Sequence, residues 1–138
     1  MDILLVEDNP ADARLFAEAL AEVNPAVHLI VAPDGPAALA LLRPGQATTA
    51  AHPTRIVLDV NLPGLSGHQV LAALKQDPAT RRIPVVMLST SAHPADIHLA
   101  LDRHANAYLV KPLDIDTFFA TVAALATFWR TAAHHTVA

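Results

Sequence analysis

The chain predicts an α/β fold: a doubly wound (βα)5 arrangement, with a parallel five-stranded sheet covered by helices on both faces. Three observations lead there. Five short segments rich in Val, Ile and Leu alternate with five helical ones, the pattern of successive strand–helix crossovers. The first strand segment, Ile3-Leu4-Leu5-Val6, is a continuous apolar run, as in strands buried on both faces. Four of the five segments also stop in polar residues, and the carboxyl ends of parallel strands are where such sheets bind ligands.

Each element has its own signal. After Ile3–Val6, Asn9 reads as an N-cap, with Pro10 at the first helical position and Asp12 in the first turn. The first helix carries Ala13, Phe16, Ala17, Leu20 and Val23 at helical spacing and stops near Asn24-Pro25. Val27–Val31 is the second strand, Pro33-Asp34-Gly35 a turn, and Pro36–Leu42 a short helix with Ala38, Leu39 and Leu42 inward. Residues 43–54 form a loop of small and turn-forming residues. Ile56-Val57-Leu58 is the third strand, ending at Asp59, and a turn-rich loop follows over 61–67. Val70, Leu71 and Leu74 mark the third helix. Pro84–Leu88 is the fourth strand, ending in Ser89-Thr90-Ser91. Pro94–Arg103 is helical, with Ile97 and Leu101 on one face. Ala107–Val110 is the fifth strand, followed by Lys111-Pro112, and a long amphipathic helix runs from about Asp114 to Thr131. One domain over residues 1–132 with a tail over 133–138 accounts for the whole chain.

Composition narrows the function. The chain has 138 residues, 53% hydrophobic, which suits a packed core and excludes a disordered chain. No apolar run approaches the ~18 residues of a membrane span. Asp2 and Glu7 stand where a secretory signal carries positive charge, so the expected location is the cytoplasm. With no cysteine there is no disulfide or thiolate metal site. A net charge of −4 argues against a nucleic-acid partner. The eight histidines are scattered, and none pairs with another on one helical face.

The strand ends supply the chemistry. The first strand offers Glu7 and Asp8, the third Asp59, the fourth Ser89 and Thr90, and the fifth Lys111, one of two lysines in the chain. Two like charges about 4 Å apart repel by roughly 4 kcal/mol at an effective dielectric near 20, so three gathered carboxylates call for a cation. The ligands are all oxygens, which suits Mg²⁺ (or Mn²⁺) better than zinc. Mg²⁺, a lysine and a hydroxyl together can stabilise a phosphoryl group in transfer, and a carboxylate can accept it.

VEDN at 6–9, LDVNLPGLSG at 58–67, LST at 88–90 and AYLVKP at 107–112 together resemble the receiver domain of bacterial two-component response regulators. The resemblance covers residues 2 to about 125. It implies a flavodoxin-like fold with strand order 2-1-3-4-5. It implies Asp59 as the phosphoacceptor, Asp8 as a direct Mg²⁺ ligand and Glu7 as a partner through metal-bound water. It also implies a metal contact from the Asn61 backbone carbonyl, Ser89 as the switch hydroxyl, Lys111 as the catalytic lysine and Tyr108 as the switch aromatic. Ser89 in place of Thr and Leu62 in place of Met are mild departures. The implied partner is a sensor histidine kinase, docking on a first-helix face that includes Arg14, Leu15 and Glu18.

The last helix adds a question of assembly. Ile115, Phe118, Phe119, Val122, Leu125, Ala126 and Trp129 cover an arc of about 120°, enough for one core-facing stripe, and Phe128 widens it. Phe118, Phe119, Phe128 and Trp129 are four of the six aromatics. The surplus is read as a homodimer surface. The long loop before the third strand and the Phe-Trp pair are similar to stand-alone regulators that pair with phytochrome-type kinases, which suggests a bacteriophytochrome as partner. A relay or phosphate-sink role for another kinase is the alternative. A Mg²⁺-dependent aspartyl phosphohydrolase is disfavoured because Asn61 stands where such enzymes usually carry a second acid. A flavin or nucleotide module is disfavoured because Glu7-Asp8 would repel a bare phosphate.

Overall fold

A computed structural model of the chain describes residues 2–43 and 53–132, the last two of these in backbone only. Most of the loop expected over 43–54, and the tail expected over 133–138, lie outside the described residues. Five strands and five helices alternate: β1 (Asp2–Val6), α1 (Pro10–Val23), β2 (His28–Ala32), α2 (Gly35–Leu41), β3 (Arg55–Leu58), α3 (Gly67–Gln76), β4 (Val85–Ser89), α4 (Pro94–Asp102), β5 (Ala107–Val110) and α5 (Ile115–Ala132). The strands form one sheet in the order β2-β1-β3-β4-β5, all pairs parallel.

The central strands are apolar along their length because both faces are covered. Leu4 sits between Ile30 and Ile56 in the register, and Val57 pairs with Val86. Even-numbered β1 residues Leu4 and Val6 join a core with Ile56, Leu58, Leu71, Leu74 and Met87, under α2, α3 and α4. Odd-numbered Ile3 and Leu5 join Val57, Leu88, Phe16 and Leu20, under α1 and α5. The two-residue period of a strand thus feeds two cores from one segment.

Helix starts follow from local side chains. The Asn9 Oδ1 accepts from the amides of Ala11 and Asp12, Asp34 from Ala37, and Ser66 and Gln69 form a capping box. The Asp114 carboxylate accepts from the Thr117 amide at 2.9 Å and opens α5.

Several expectations change. β4 runs one residue further than expected, so Ser89 is its last residue, paired with Val110 and fully buried. Leu101, grouped with Ile97 on one face, is 46% exposed, and Ala100 is the residue α4 buries. Ile115, placed on the core stripe, is 59% exposed because it is the first residue of α5 and precedes the packed turns. Phe118 and Trp129, expected on a dimer surface, are 6% and 3% exposed and pack with Phe16, Leu20 and Val122. They are core residues. Phe119 is half-buried, and of the four aromatics Phe128 is the exposed one. Lys75, the other lysine, donates to the carbonyls of Arg81 and Ile83 and ties the α3–β4 connection together.

Candidate functional site

Glu7, Asp59 and Lys111 each stand just beyond the end of a strand, and each backbone amide continues the ladder into a neighbour. The Glu7 amide donates to the Ala32 carbonyl at 3.0 Å, Asp59 to Val6 at 3.2 Å and Lys111 to Ser89 at 2.7 Å. The sheet therefore fixes the three side-chain origins. Gly67 brings the following loop in close. A Cβ there would lie 2.0 Å from the Asp59 carbonyl oxygen, so no other residue fits without moving the backbone. Gly64 supplies the positive φ of the turn before it.

The side chains converge as the strand-end reading expects. Glu7, Asp8 and Asp59 can bring one carboxylate oxygen each within 4.8 Å of one another, with Glu7 and Asp59 buried and Asp8 exposed. The Lys111 ammonium, also buried, ion-pairs with Glu7, with Asp59 Oδ2 at 3.1 Å and with Asp12 Oδ2 at 3.4 Å. Asp59 Oδ1 accepts from the Asn61 amide at 3.1 Å, so the two oxygens of the carboxylate are held by different partners. Burial raises the Glu7 pKa above the ordinary carboxylate value, more than the Lys111 charge lowers it, and Asp59 pushes it the same way. Burial works against the charge on Lys111, but Glu7 and Asp59 outweigh it and hold its pKa above the ordinary lysine value. The cation is thus fixed while its acids remain in excess. An all-oxygen set with one exposed member, Asp8, suits a hard divalent ion arriving from solvent.

Ser89 is enclosed, and its Oγ accepts from the Ser91 amide at 3.2 Å. Tyr108 is half-buried against the α2–α4 core, and its hydroxyl donates to the Ser91 carbonyl at 2.7 Å. Asp12 was legible only as a first-turn acid. Its approach to Lys111 follows because Asn9 starts α1 directly after the acidic pair and turns that first turn toward the site. His68, Ser91 and Asp96 were not singled out at all, yet they bond to one another beside the site, across 28 and five residues of sequence.

An acidic cluster with a buried lysine, at the carboxyl edge of a 2-1-3-4-5 parallel sheet, defines a receiver, and the chain belongs to that family. The family model described as "Response regulator receiver domain" matches residues 3–123. Among individual proteins, the chain is 41% identical over 128 residues to the response regulator Rcp1 of Synechocystis sp., covering 92% of this chain and 87% of Rcp1. The Mn²⁺-bound crystal structure of Rcp1 superposes with a TM-score of 0.85 and covers 93% of each chain. The phosphorylated cyanobacterial phytochrome response regulator RcpA is 42% identical, with a TM-score of 0.89 over 95% of this chain and 94% of that one. The bacteriophytochrome response regulator AtBRR is 36% identical, with a TM-score of 0.71 over 91% and 90%. The chain is thus a receiver-type response regulator homologous to phytochrome response regulators, a signalling protein of the two-component class.

Proposed function

We propose that Asp59 accepts a phosphoryl group from the phosphohistidine of a sensor kinase, and that the partner is a phytochrome-type kinase. The observation that carries the reading is the Asp59 carboxylate, buried at the β3 end, with its Oδ2 3.1 Å from the Lys111 ammonium and with Glu7 and Asp8 beside it. In the transfer, an Asp59 oxygen forms a bond to phosphorus as the phosphorus–nitrogen bond of the donor breaks. The departing imidazole nitrogen keeps that electron pair and takes a proton from solvent. Lys111 holds one phosphoryl oxygen, and the Ser89 hydroxyl turns from the Ser91 amide to donate to another. Asp8 and Asp59, with Glu7 through water and the Asn61 carbonyl, would hold Mg²⁺ or Mn²⁺, which supplies positive charge against the phosphoryl oxygens when bound. A cleft of about 200 Å³ beside Lys111, lined by Asp12, Leu15, Leu113, Ile115 and Phe118, gives a donor room to approach along α1.

The product is a change of surface, with no external substrate turned over. None of the helices among the described residues is long and apolar enough to cross a membrane, in keeping with action in the cytoplasm. The likeness to RcpA, a cyanobacterial phytochrome response regulator, and to AtBRR, a bacteriophytochrome response regulator, supports the phytochrome assignment. Phe128, 64% exposed on α5, supports a homodimer through that helix. Phe128→Ala weakens that dimer in sedimentation; a monomeric parent contradicts it. The test of the main reading is phosphotransfer from a panel of autophosphorylated histidine kinases. Fastest transfer comes from a phytochrome-type kinase and none reaches Asp59→Asn. Equal labelling of Asp59→Asn contradicts the acceptor role, and preference for another kinase contradicts the partner.

A further inference from the structure

α4 is held in an unusual way for a helix on a sheet. It buries Ala100, while Leu99 and Leu101 are 37% and 46% exposed, so apolar packing does little to fix it. Polar bonds to α3 do that instead. The His68 ring, 91% buried, meets Asp96 Oδ1 of α4 through Nε2 at 3.0 Å, and Nε2 carries the proton because the carboxylate offers only lone pairs. At the other end of α4, Arg103 Nη1 donates to the His68 carbonyl at 3.0 Å. One residue of α3 therefore anchors both ends of α4.

The same carboxylate reaches the switch. The Ser91 hydroxyl donates to Asp96 Oδ2 at 2.5 Å, and the Ser91 carbonyl accepts from the Tyr108 hydroxyl at 2.7 Å. Ser91 also accepts from the His93 amide at 3.3 Å, and its own amide donates to Ser89 Oγ. A chain of hydrogen bonds thus runs from His68 through Asp96 and Ser91 to Tyr108, with the Ser89 hydroxyl on a side branch. Hydrogen bonds from Ser91 and then from His68 hold the Asp96 carboxyl below its ordinary range, consistent with an ionised middle link.

We propose that Asp96, anchored by His68, is a positioning residue for the phosphorylation switch: it fixes the Ser91 carbonyl where that oxygen holds the Tyr108 ring inward before any phosphoryl group arrives. This rests on the reading of Asp59 as acceptor and Ser89 as the hydroxyl that meets the phosphoryl group. In this chain the switch is set toward its inward state by an α3–α4 clasp that is not hydrogen-bonded to the acceptor carboxylate, whose partners are Asn61 and Lys111. Cutting the clasp frees the β4–α4 loop, lets Tyr108 leave, and loosens Ser89 with it.

Tyr108 is the chain's single tyrosine, so ring-¹³C-labelled tyrosine reports on it alone in an NMR spectrum. Asp96→Ala and His68→Leu are expected to move the Tyr108 ring resonance in the same direction, the double variant no further than Asp96→Ala, and His68→Gln, which keeps a side-chain N–H donor, much less. With acetyl phosphate and Mg²⁺, Asp96→Ala is expected to label Asp59 about 3- to 10-fold more slowly than the parent, the range a lost hydrogen bond gives. Ring resonances that stay in place in both single variants, in folded protein, overturn the proposal. Shifted rings with unchanged labelling rates overturn the positioning role. Shifted rings with no labelling of Asp59 even in the parent support the clasp and overturn the acceptor reading instead.

Discussion

α5 and α4 cover opposite faces of one sheet and are held there by opposite means. α5 spends eighteen residues burying Phe118, Val122, Ala126 and Trp129 against α1 and the strands. α4 has nine residues, buries Ala100, and is fixed through His68, Ser91 and Arg103. Apolar burial is strong and non-directional, so α5 can stabilise the fold but has no second defined position. Hydrogen bonds are directional and individually modest, so α4 can be released by changing one partner. The helix beside the switch buries no side chain larger than alanine, and regions that move in signalling are drawn from the low-stability end of a structure.

The sharpest contrast is in stability. Trp129→Ala is expected to cost about 3–5 kcal/mol in chemical denaturation, through the cavity left between α5 and α1. Leu101→Ala on α4 stays within about 0.5 kcal/mol, since that side chain already faces solvent. Comparable losses at the two sites would erase the distinction.

A smaller effect sits at the C-terminal end of α4. His104 holds φ at 70°, the left-handed conformation, while the Ala105 amide closes back onto the Ala100 carbonyl. Glycine takes that conformation without a Cβ penalty. His104→Gly is therefore expected to raise the unfolding free energy by up to about 1 kcal/mol, measured by the same denaturation. A loss of stability would mean that the His104 side chain, and not only its backbone, holds α4.

The pH dependence of α4 is the smallest and has a definite sign. Bonds from Ser91 and His68 lower the Asp96 pKa in the folded chain. A depressed carboxylate adds stability that is present above the unfolded value and lost as pH falls through the folded one. The parent should therefore melt above Asp96→Ala near neutral pH, with the gap closing in acid below the ordinary 3.8. A gap that widens in acid would show that the ionised carboxylate is not what holds the loop.

The first strand end, Val6-Glu7-Asp8-Asn9-Pro10, shows how far sequence carries. Apolar runs ending in polar residues placed Glu7, Asp8, Asp59, Ser89 and Lys111 on one edge, because a parallel sheet aligns every carboxyl end the same way. Caps placed the helices, because capping acts within three residues of chain. Packing across elements was harder to read. A helical wheel put Phe118 and Trp129 on the apolar arc but could not tell that α1 supplies Phe16 and Leu20 to cover them. Helical spacing grouped Leu101 with Ile97 on one face of α4, but could not show that Ala100 is the residue that helix buries. The hydrogen bonds that reach Tyr108 left no local signal: His68, Ser91 and Asp96 are ordinary residues until the fold brings them together.

The proposed role of Asp59, acceptor of a metal-assisted phosphoryl transfer, can be tested by mass. Intact-mass spectrometry after incubation with acetyl phosphate and Mg²⁺ tests it directly. One added phosphoryl mass is expected on the parent, lost when the metal is chelated and absent from Asp59→Asn. Equal addition to Asp59→Asn, or addition indifferent to chelation, would contradict it.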